Sequence, residues 1–233
     1  MLKKDRSEKR GKVFKYQKLG KALASMLTAL YGSGMPAREA ADMLGVNKET
    51  ARKWFRRFRA EVNEIGLYDD SPFKGEVEAD EVYLGPKKVK GKRGRGASGK
   101  TIVFGLVERG TGRTRHFIVR DASAASLIPL IVANVAPGTI VHTDTWAGYA
   151  SLRKFGYDHR VVNHKKGEYA TEGGRGTNHK EAGWKNLRRM WAKYNGGWKR
   201  GTRVWLGEAA VRLECGRKVF TEWVMAFFSP ATG

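Results

Sequence analysis

Two hydrophobic rhythms divide the chain. From Met35 to Val62 ("MPAREAADMLGVNKETARKWFRRFRAEV") apolar and small residues recur every three or four positions, whereas after Gly75 they alternate in twos. In the first segment Pro36 opens a helix whose inner face is Ala40, Ala41 and Leu44, and Gly45 supplies a tight bend. Asn47 then caps a second helix, with Ala51, Trp54, Phe55 and Phe58 on its apolar side. Small residues where two helices cross, and a glycine turn between them, predict a helix-turn-helix. A connector with Pro72 and two glycines, "GLYDDSPFKG" (66–75), marks the domain boundary. Beyond it, strands are predicted over 75–85, 100–110 and 113–122, the last two joined by Gly110, Thr111 and Gly112. A helix kinked at Pro129 follows over 123–138, then a strand running into a turn over 139–146, a glycine-stopped helix over 147–156 and a short strand over 159–164. From Asn178 the pattern is helical again. This order predicts a mixed sheet covered by helices, an α/β domain with the first strand beside the fourth.

Charge narrows the partners. Forty-five Lys and Arg against 23 Asp and Glu give a formal net charge of +22, and self-repulsion on that scale is relieved by a polyanion, with nucleic acid the leading candidate. Residues 1–21 carry nine basic side chains against Asp5 and Glu8, as in an arm that orders on a polyanion or in a solvated tail. The second helix turns Lys48, Arg52, Lys53 and Arg56 outward, toward a DNA major groove or simply toward solvent. The loop from Lys87 to Lys100 contains no acid; its Lys90, Lys92, Arg93, Arg95 and Lys100 are placed to clamp a DNA backbone, against the alternative of a solvated loop. No run approaches the ~18 apolar residues of a spanning helix, and the early apolar run Ala22–Gly32 follows 21 mostly polar residues, unlike a signal peptide. No membrane partner is expected. Cys215 is the single cysteine, so one chain builds neither a disulfide nor a thiolate zinc site; a reducing compartment and a small buried hydrophobe fit it.

Against this basic background the acids of "VEADEVYLG" (77–85) stand out. Alternation puts Glu76, Glu78 and Asp80 on one face of the strand and Val77, Ala79 and Glu81 on the other. A mid-strand carboxylate under a covering helix is costly to desolvate unless paired or metal-bound, which singles out Asp80. Asp144, in "IVHTDTW", ends a strand and reads equally as ligand or helix cap. Glu181, three residues after Asn178, fits a capping box when taken alone. Together the three acids can converge where the late helix crosses the ends of strands one and four. Carboxylates forced together need divalent cations, and Mg²⁺ prefers a few carboxylates plus waters and phosphate oxygens. Two such ions about 4 Å apart activate an attacking oxygen and stabilise a leaving one. Glu78, on the Asp80 face, could assist there, but a surface ion pair is the expectation.

The spacing of Asp80, Asp144 and Glu181, 64 and then 37 positions apart, resembles the ribonuclease-H-like core of DDE transposases and retroviral integrases. More closely, "VEADEVYLG", "KGKRGRGASGKTIVFGLVERG", "HTDTWAGY", "VNHKKGEY" and "TNHKEAGWKNLRR" resemble the ISXO-like insertion-sequence transposases, over residues 36–214. That resemblance implies metal ligands at Asp80 and Asp144. It implies a third at Asn178 or Glu181, Glu181 being favoured because a carboxylate holds Mg²⁺ better than an amide. The family's following lysine falls on Arg188, whose guanidinium can still hold phosphate, and Lys185 joins the DNA contacts. His142, Thr143 and Trp146 flank Asp144 as support or substrate contact, with core packing as the alternative for Trp146. The Cys-rich zinc ribbon of many relatives has no counterpart, nor does the tail after Cys215 match the family.

The expected fold is therefore α/β, a ribonuclease-H-like mixed sheet flanked by helices and preceded by a small all-α helix-turn-helix domain. The expected domains are a basic arm at 1–21, the helix-turn-helix at 22–66, the DDE catalytic domain at 67–214 and a C-terminal extension at 215–233. The resemblance implies a DNA transposase that uses two Mg²⁺ ions, with Mn²⁺ as a substitute, to nick element ends and join the 3′-hydroxyl to target DNA. DNA at element ends and target, and a homodimer or higher homo-oligomer at synapsis, are the implied partners, in the cytoplasm at the nucleoid. A nuclease without strand transfer and a non-catalytic DNA-binding regulator are the alternatives.

Overall fold

The computed structural model describes residues 19–65, 71–85, 100–162, 178–193 and 202–228. Two compact units are present, one formed by residues up to 69 together with 204–233, the other by 70–203. Residues 204–214, expected in the α/β domain, thus belong to the helical unit, as does the tail.

In the helical unit, α1 (Lys21–Gly32), α2 (Ala37–Leu44) and α3 (Lys48–Ile65) are followed, after the other unit, by α6 (Thr202–Phe228). The α2–α3 pair forms as its pattern predicts. Ala40 and Ala41 are fully buried, Gly45 ends α2 in the left-handed region (φ 64°), and Asn47 Oδ1 accepts the Glu49 N–H at 2.8 Å. Ala51, Trp54, Phe55, Phe58 and Val62 line the buried side of α3 and meet Leu27 and Tyr31 of α1. The Tyr31 ring lies 5.3 Å from Phe55 and 5.2 Å from Phe58. The tail without a family counterpart completes this core: after a break at Gly216 it continues as helix and buries Phe220, Val224 and Phe228. Cys215 is half-buried against the same core, its thiol donating to the Val211 carbonyl. Polar groups fasten α6 as well. Glu208 is fully buried between Arg59 of α3 and Arg212, and Arg212 also donates to the Tyr31 and Gly32 carbonyls at 2.6 and 2.7 Å, satisfying the end of α1.

The second unit is a five-stranded sheet in the order β3-β2-β1-β4-β5, from β1 (Glu76–Leu84), β2 (Thr101–Glu108), β3 (Thr114–Val119), β4 (Ile140–Thr143) and β5 (Asp158–Val161). β1, β2 and β3 pair antiparallel, while β4 runs parallel to β1 and β5 parallel to β4. The expected neighbourhood of the first and fourth strands is observed. Val77 and Ala79 of β1, with Phe104 and Leu106 of β2, pack on Leu127, Ile128 and Ile131 of α4 (Ala124–Asn134). That helix continues through Pro129, whose missing N–H orphans the Ala125 carbonyl. Both residues lie on the exposed side, where water can satisfy it. The helix expected at 147–156 is instead two 3₁₀ turns, Ala147–Tyr149 and Leu152–Phe155. The physical reason is Gly148, buried against Trp146 and the Ala122 carbonyl, which weakens helix propensity where the chain must stay close-packed. On the opposite face of the sheet lies α5 (Asn178–Lys193), with Trp184 and Leu187 buried.

Candidate active site

Asp80 sits mid-strand on β1, half-buried, facing away from Val77 and Ala79 as alternation requires. The β1–β4 ladder pairs Glu76 with Ile140, Val77 with Val141 and Glu78 with His142. One alternation further the same offset reaches Asp80 and Asp144, so the two acids occupy equivalent positions on neighbouring parallel strands. Asp144 follows the last residue of β4 and is also half-buried; its Oδ1 accepts the Trp146 N–H at 2.9 Å, closing a side-chain turn ahead of the 3₁₀ segment rather than capping a helix. Asp80 Oδ2 accepts the Trp184 indole N–H at 2.9 Å. A third carboxylate, Glu81, takes a hydrogen bond from the Tyr149 hydroxyl at 2.6 Å. Burial, then the charges of Glu81, Asp80 and Asp144, push that hydroxyl well above the usual tyrosine range. Asp80 and Asp144 therefore both lie within electrostatic reach of one buried phenol.

Asn178 and Glu181 lie at the start of α5, but their side chains fall outside the described residues, as do Lys90, Lys92, Arg93 and Arg95 with all their backbone. Among the described residues no three His, Cys, Asp or Glu side chains gather closely enough to hold a metal ion. Arg188 and Lys185 are exposed on α5, and Lys100 is half-buried just before β2. On α3, Lys48, Arg52, Lys53 and Arg56 are all exposed; Lys48 reaches Asp42 at 3.6 Å and Arg52 pairs with Glu49. Such surface pairs are worth only ~0–1 kcal/mol and yield readily to a polyanion.

The expectation of a surface ion pair for Glu78 is corrected: Glu78 is 1% exposed and pairs with Arg109 at 2.8 Å. Arg109, from the turn after β2, also reaches Glu76 at 2.8 Å, and Glu76 bonds His142 Nε2 at 2.9 Å. Burial opposes ionisation of Glu76, yet its bonds to His142 and Arg109 hold its carboxyl below the usual range. Burial and the Arg109 charge lower the pKa of His142. Sequence reasoning passed over Arg109 because nothing local shows that the strand turn folds it back onto β1. Thr143 bonds His159 and its own neighbour's carbonyl, so His142 and Thr143 brace β4 behind Asp144. Trp146 is 37% exposed, its indole N–H donating to the Ala122 carbonyl at 2.7 Å.

Residues 72–205, more than half of the chain, match the ISXO2-like transposase domain. The chain belongs to the ISXO2-like transposase family. Its function is that of an insertion-sequence transposase, as the motif resemblance implied. No curated protein matches the chain. Among solved structures, the catalytic core domain of BIV integrase is 14% identical with a TM-score of 0.42, covering 60% of this chain and 82% of that one. The Mos1 strand transfer complex is 11% identical with a TM-score of 0.31, and the Mos1 mariner paired end complex with Mn is 13% identical with the same score. Each covers 91% of this transposase and 80% of its own chain. These likenesses are distant, and the family assignment rests on the sequence match.

Proposed function

We propose that this ISXO2-like transposase cleaves DNA at the ends of its element and joins the freed 3′-hydroxyl to target DNA, with Asp80, Asp144 and Glu181 holding two divalent cations. The observation that carries the proposal is the equivalent placement of Asp80 and Asp144 at the ends of the β1–β4 ladder, both felt by the Tyr149 hydroxyl. The donor set suits Mg²⁺, with Mn²⁺ as a substitute: two half-buried carboxylates leave room for waters and phosphate oxygens rather than forming a closed cage. Bound cations would polarise the scissile phosphodiester and stabilise both attacking and leaving oxygens.

The chain's own groups supply the rest. Trp184 and the Trp146 backbone orient the two aspartates through neutral donors, and Tyr149 draws Glu81 toward its own hydroxyl. Arg188, two helical turns after Glu181, is placed to hold phosphate, with Asn178 as an accessory ligand or cap. DNA is held by Lys48, Arg52, Lys53 and Arg56 of α3, by the 87–100 loop and by Lys185. Pairing two element ends requires at least two copies of the chain, acting at the nucleoid. No described helix is long and apolar enough to cross a membrane.

The test uses labelled fragments bearing the element's ends, incubated with Mg²⁺. Asp80→Asn and Asp144→Asn should abolish nicking and strand transfer while retaining end binding. Full cleavage by either variant refutes the site. Nicking by the wild-type protein without any joined product reassigns it as a simple nuclease.

A further inference from the structure

Asp80 is paired across the sheet with Gly105 of β2, and Gly105 in turn with His116 of β3, so the three form one row on the face covered by α5. Trp184 packs on that row, with Cζ2 and Cη2 of its ring against Gly105. A Cβ built on Gly105 would stand 2.8 Å from Trp184 Cζ2, with Cη2 nearer still, a separation that packed carbons do not tolerate. His116 meets the same ring edge-on, with centroids 5.5 Å apart. The indole is 6% exposed, and its single N–H is spent on Asp80 Oδ2 at 2.9 Å. A glycine within a central strand weakens the sheet locally unless another group must come close. Here that group is the ring whose donor reaches the first acid.

We propose that Trp184 is a positioning residue for the metal site, acting through Asp80 and through the register of α5. Resting on the site proposed above, this deepens it. The indole bond holds the Asp80 carboxylate in one rotamer. The same ring, seated in the notch at Gly105, fixes the rotation of α5 about its axis. Glu181 stands three positions before Trp184 and Arg188 four positions after it, so all three positions share one helical face. A helix turned by even one residue, ~100°, would carry positions 181 and 188 off the face that meets the strand ends. Trp184 thus ties the first acid to the helix bearing the third, and a hydrogen bond to a charged group is strong enough to do so.

Trp184→Phe removes the donor together with the Cζ2 and Cη2 carbons that fill the notch at Gly105, so both links are tested at once. It should require roughly tenfold more Mn²⁺ for half-saturation, read by the Mn²⁺ electron paramagnetic resonance signal of the protein bound to an uncleaved end. The cleavage rate should fall by a similar factor at fixed Mg²⁺ and recover partly at high Mg²⁺, with end-DNA affinity near wild type and the unfolding temperature only modestly lowered by the cavity left at Gly105. Gly105→Ala, which displaces an intact indole, should reproduce the weakened Mn²⁺ binding, and the double variant should be no worse than the poorer single one. Wild-type Mn²⁺ affinity and cleavage in Trp184→Phe overturn the proposal, as does a loss of activity that tracks only a lowered unfolding temperature without a shift in metal dependence. If Asp80→Asn is itself active, the site fails. If Asp80→Asn is dead and Trp184→Phe is normal, only the positioning role fails.

Discussion

Replacing Glu208 by Ala should strongly destabilise the helical unit while leaving the α/β unit standing. Glu208 is 0% and Arg59 3% exposed, and their ion pair, with Arg212 at 2.6 Å, joins α3 to α6. Removing the carboxylate leaves two guanidinium charges facing each other, one of them sealed from water. Breaking a buried pair from one side costs ~3–5 kcal/mol, against ~5–15 kcal/mol for a whole domain. Arg212 would lose the anchor that holds it against the Tyr31 and Gly32 carbonyls, exposing the end of α1 as well. Hydrogen exchange read by mass spectrometry separates the units: peptides from α1, α3 and α6 should lose most of their protection, while β1 and β2 keep theirs. Arg59→Ala should cost less, because Glu208 keeps Arg212, and the double variant should cost less than the sum by ~1–3 kcal/mol, because Arg59 is then no longer buried without its carboxylate. Strict additivity, or wild-type protection of α1 and α3 in Glu208→Ala, would refute the reasoning.

Two further outcomes are expected. Arg52→Ala or Lys53→Ala should weaken DNA binding and reduce the slope of log K against log salt by ~0.9 per lost phosphate contact; fluorescence anisotropy across a salt series checks this, and an unchanged slope removes α3 from the interface. Acid should destabilise the α/β unit in two stages. Burial, which encloses Nδ1, lowers His116 to about 4 from 6.5; the unfolded chain therefore binds the extra proton first, and stability drops as pH falls from 6.5 toward 4. For Glu108, burial opposes ionisation, but bonds from Arg113, Thr111 and the Lys74 N–H hold it at about 2 from 4.5, so its contribution is present above 4.5 and lost as pH falls toward 2. Urea unfolding at stepped pH should show both stages, with His116→Phe flattening the first; a profile flat between pH 6.5 and 4 contradicts the assignment.

Period was the most readable feature of the chain. Alternation alone separated Asp80 from Glu81, and the structure turns Asp80 toward α5 and Glu81 toward Tyr149. Helical spacing likewise named Ala40, Ala41, Trp54, Phe55 and Phe58 as one buried face. What escaped were groups whose environment is made by distant chain. Glu78 looks like any strand carboxylate until Arg109 folds over it. Gly105 reads as a flaw in a strand until Trp184, 79 positions later in the sequence, lies on it. The tail gave a usable signal, Phe220, Val224 and Phe228 at a spacing of four, but without family likeness nothing local showed which core it would fill.

The location of the acids follows from the ladders themselves. β1 is hydrogen-bonded to β2 from Val77 to Leu84 but to β4 only from Glu76 to Glu78. Past Glu78, one flank of β1 has no strand beside it among the described residues, and β4 ends at Thr143 as the chain turns through Asp144. β2 and β3 build outward on one side of β1, and β4 and β5 on the other, so the chain changes direction across the sheet between β1 and β4. A cleft at the carboxyl ends of parallel strands, at such a switch point, is where open α/β sheets place their ligands. Asp80 is the first β1 residue on the α5 face beyond the last β4 pairing, and Asp144 is the first residue beyond β4. Both acids are therefore half-buried rather than sealed, at a point where the backbone beneath them is held by the strands leading in. Moving either acid back by two positions would place it where Glu78 and His142 now stand, 1% and 2% exposed, and a carboxylate there is committed to a protein partner such as Arg109 rather than to a phosphodiester.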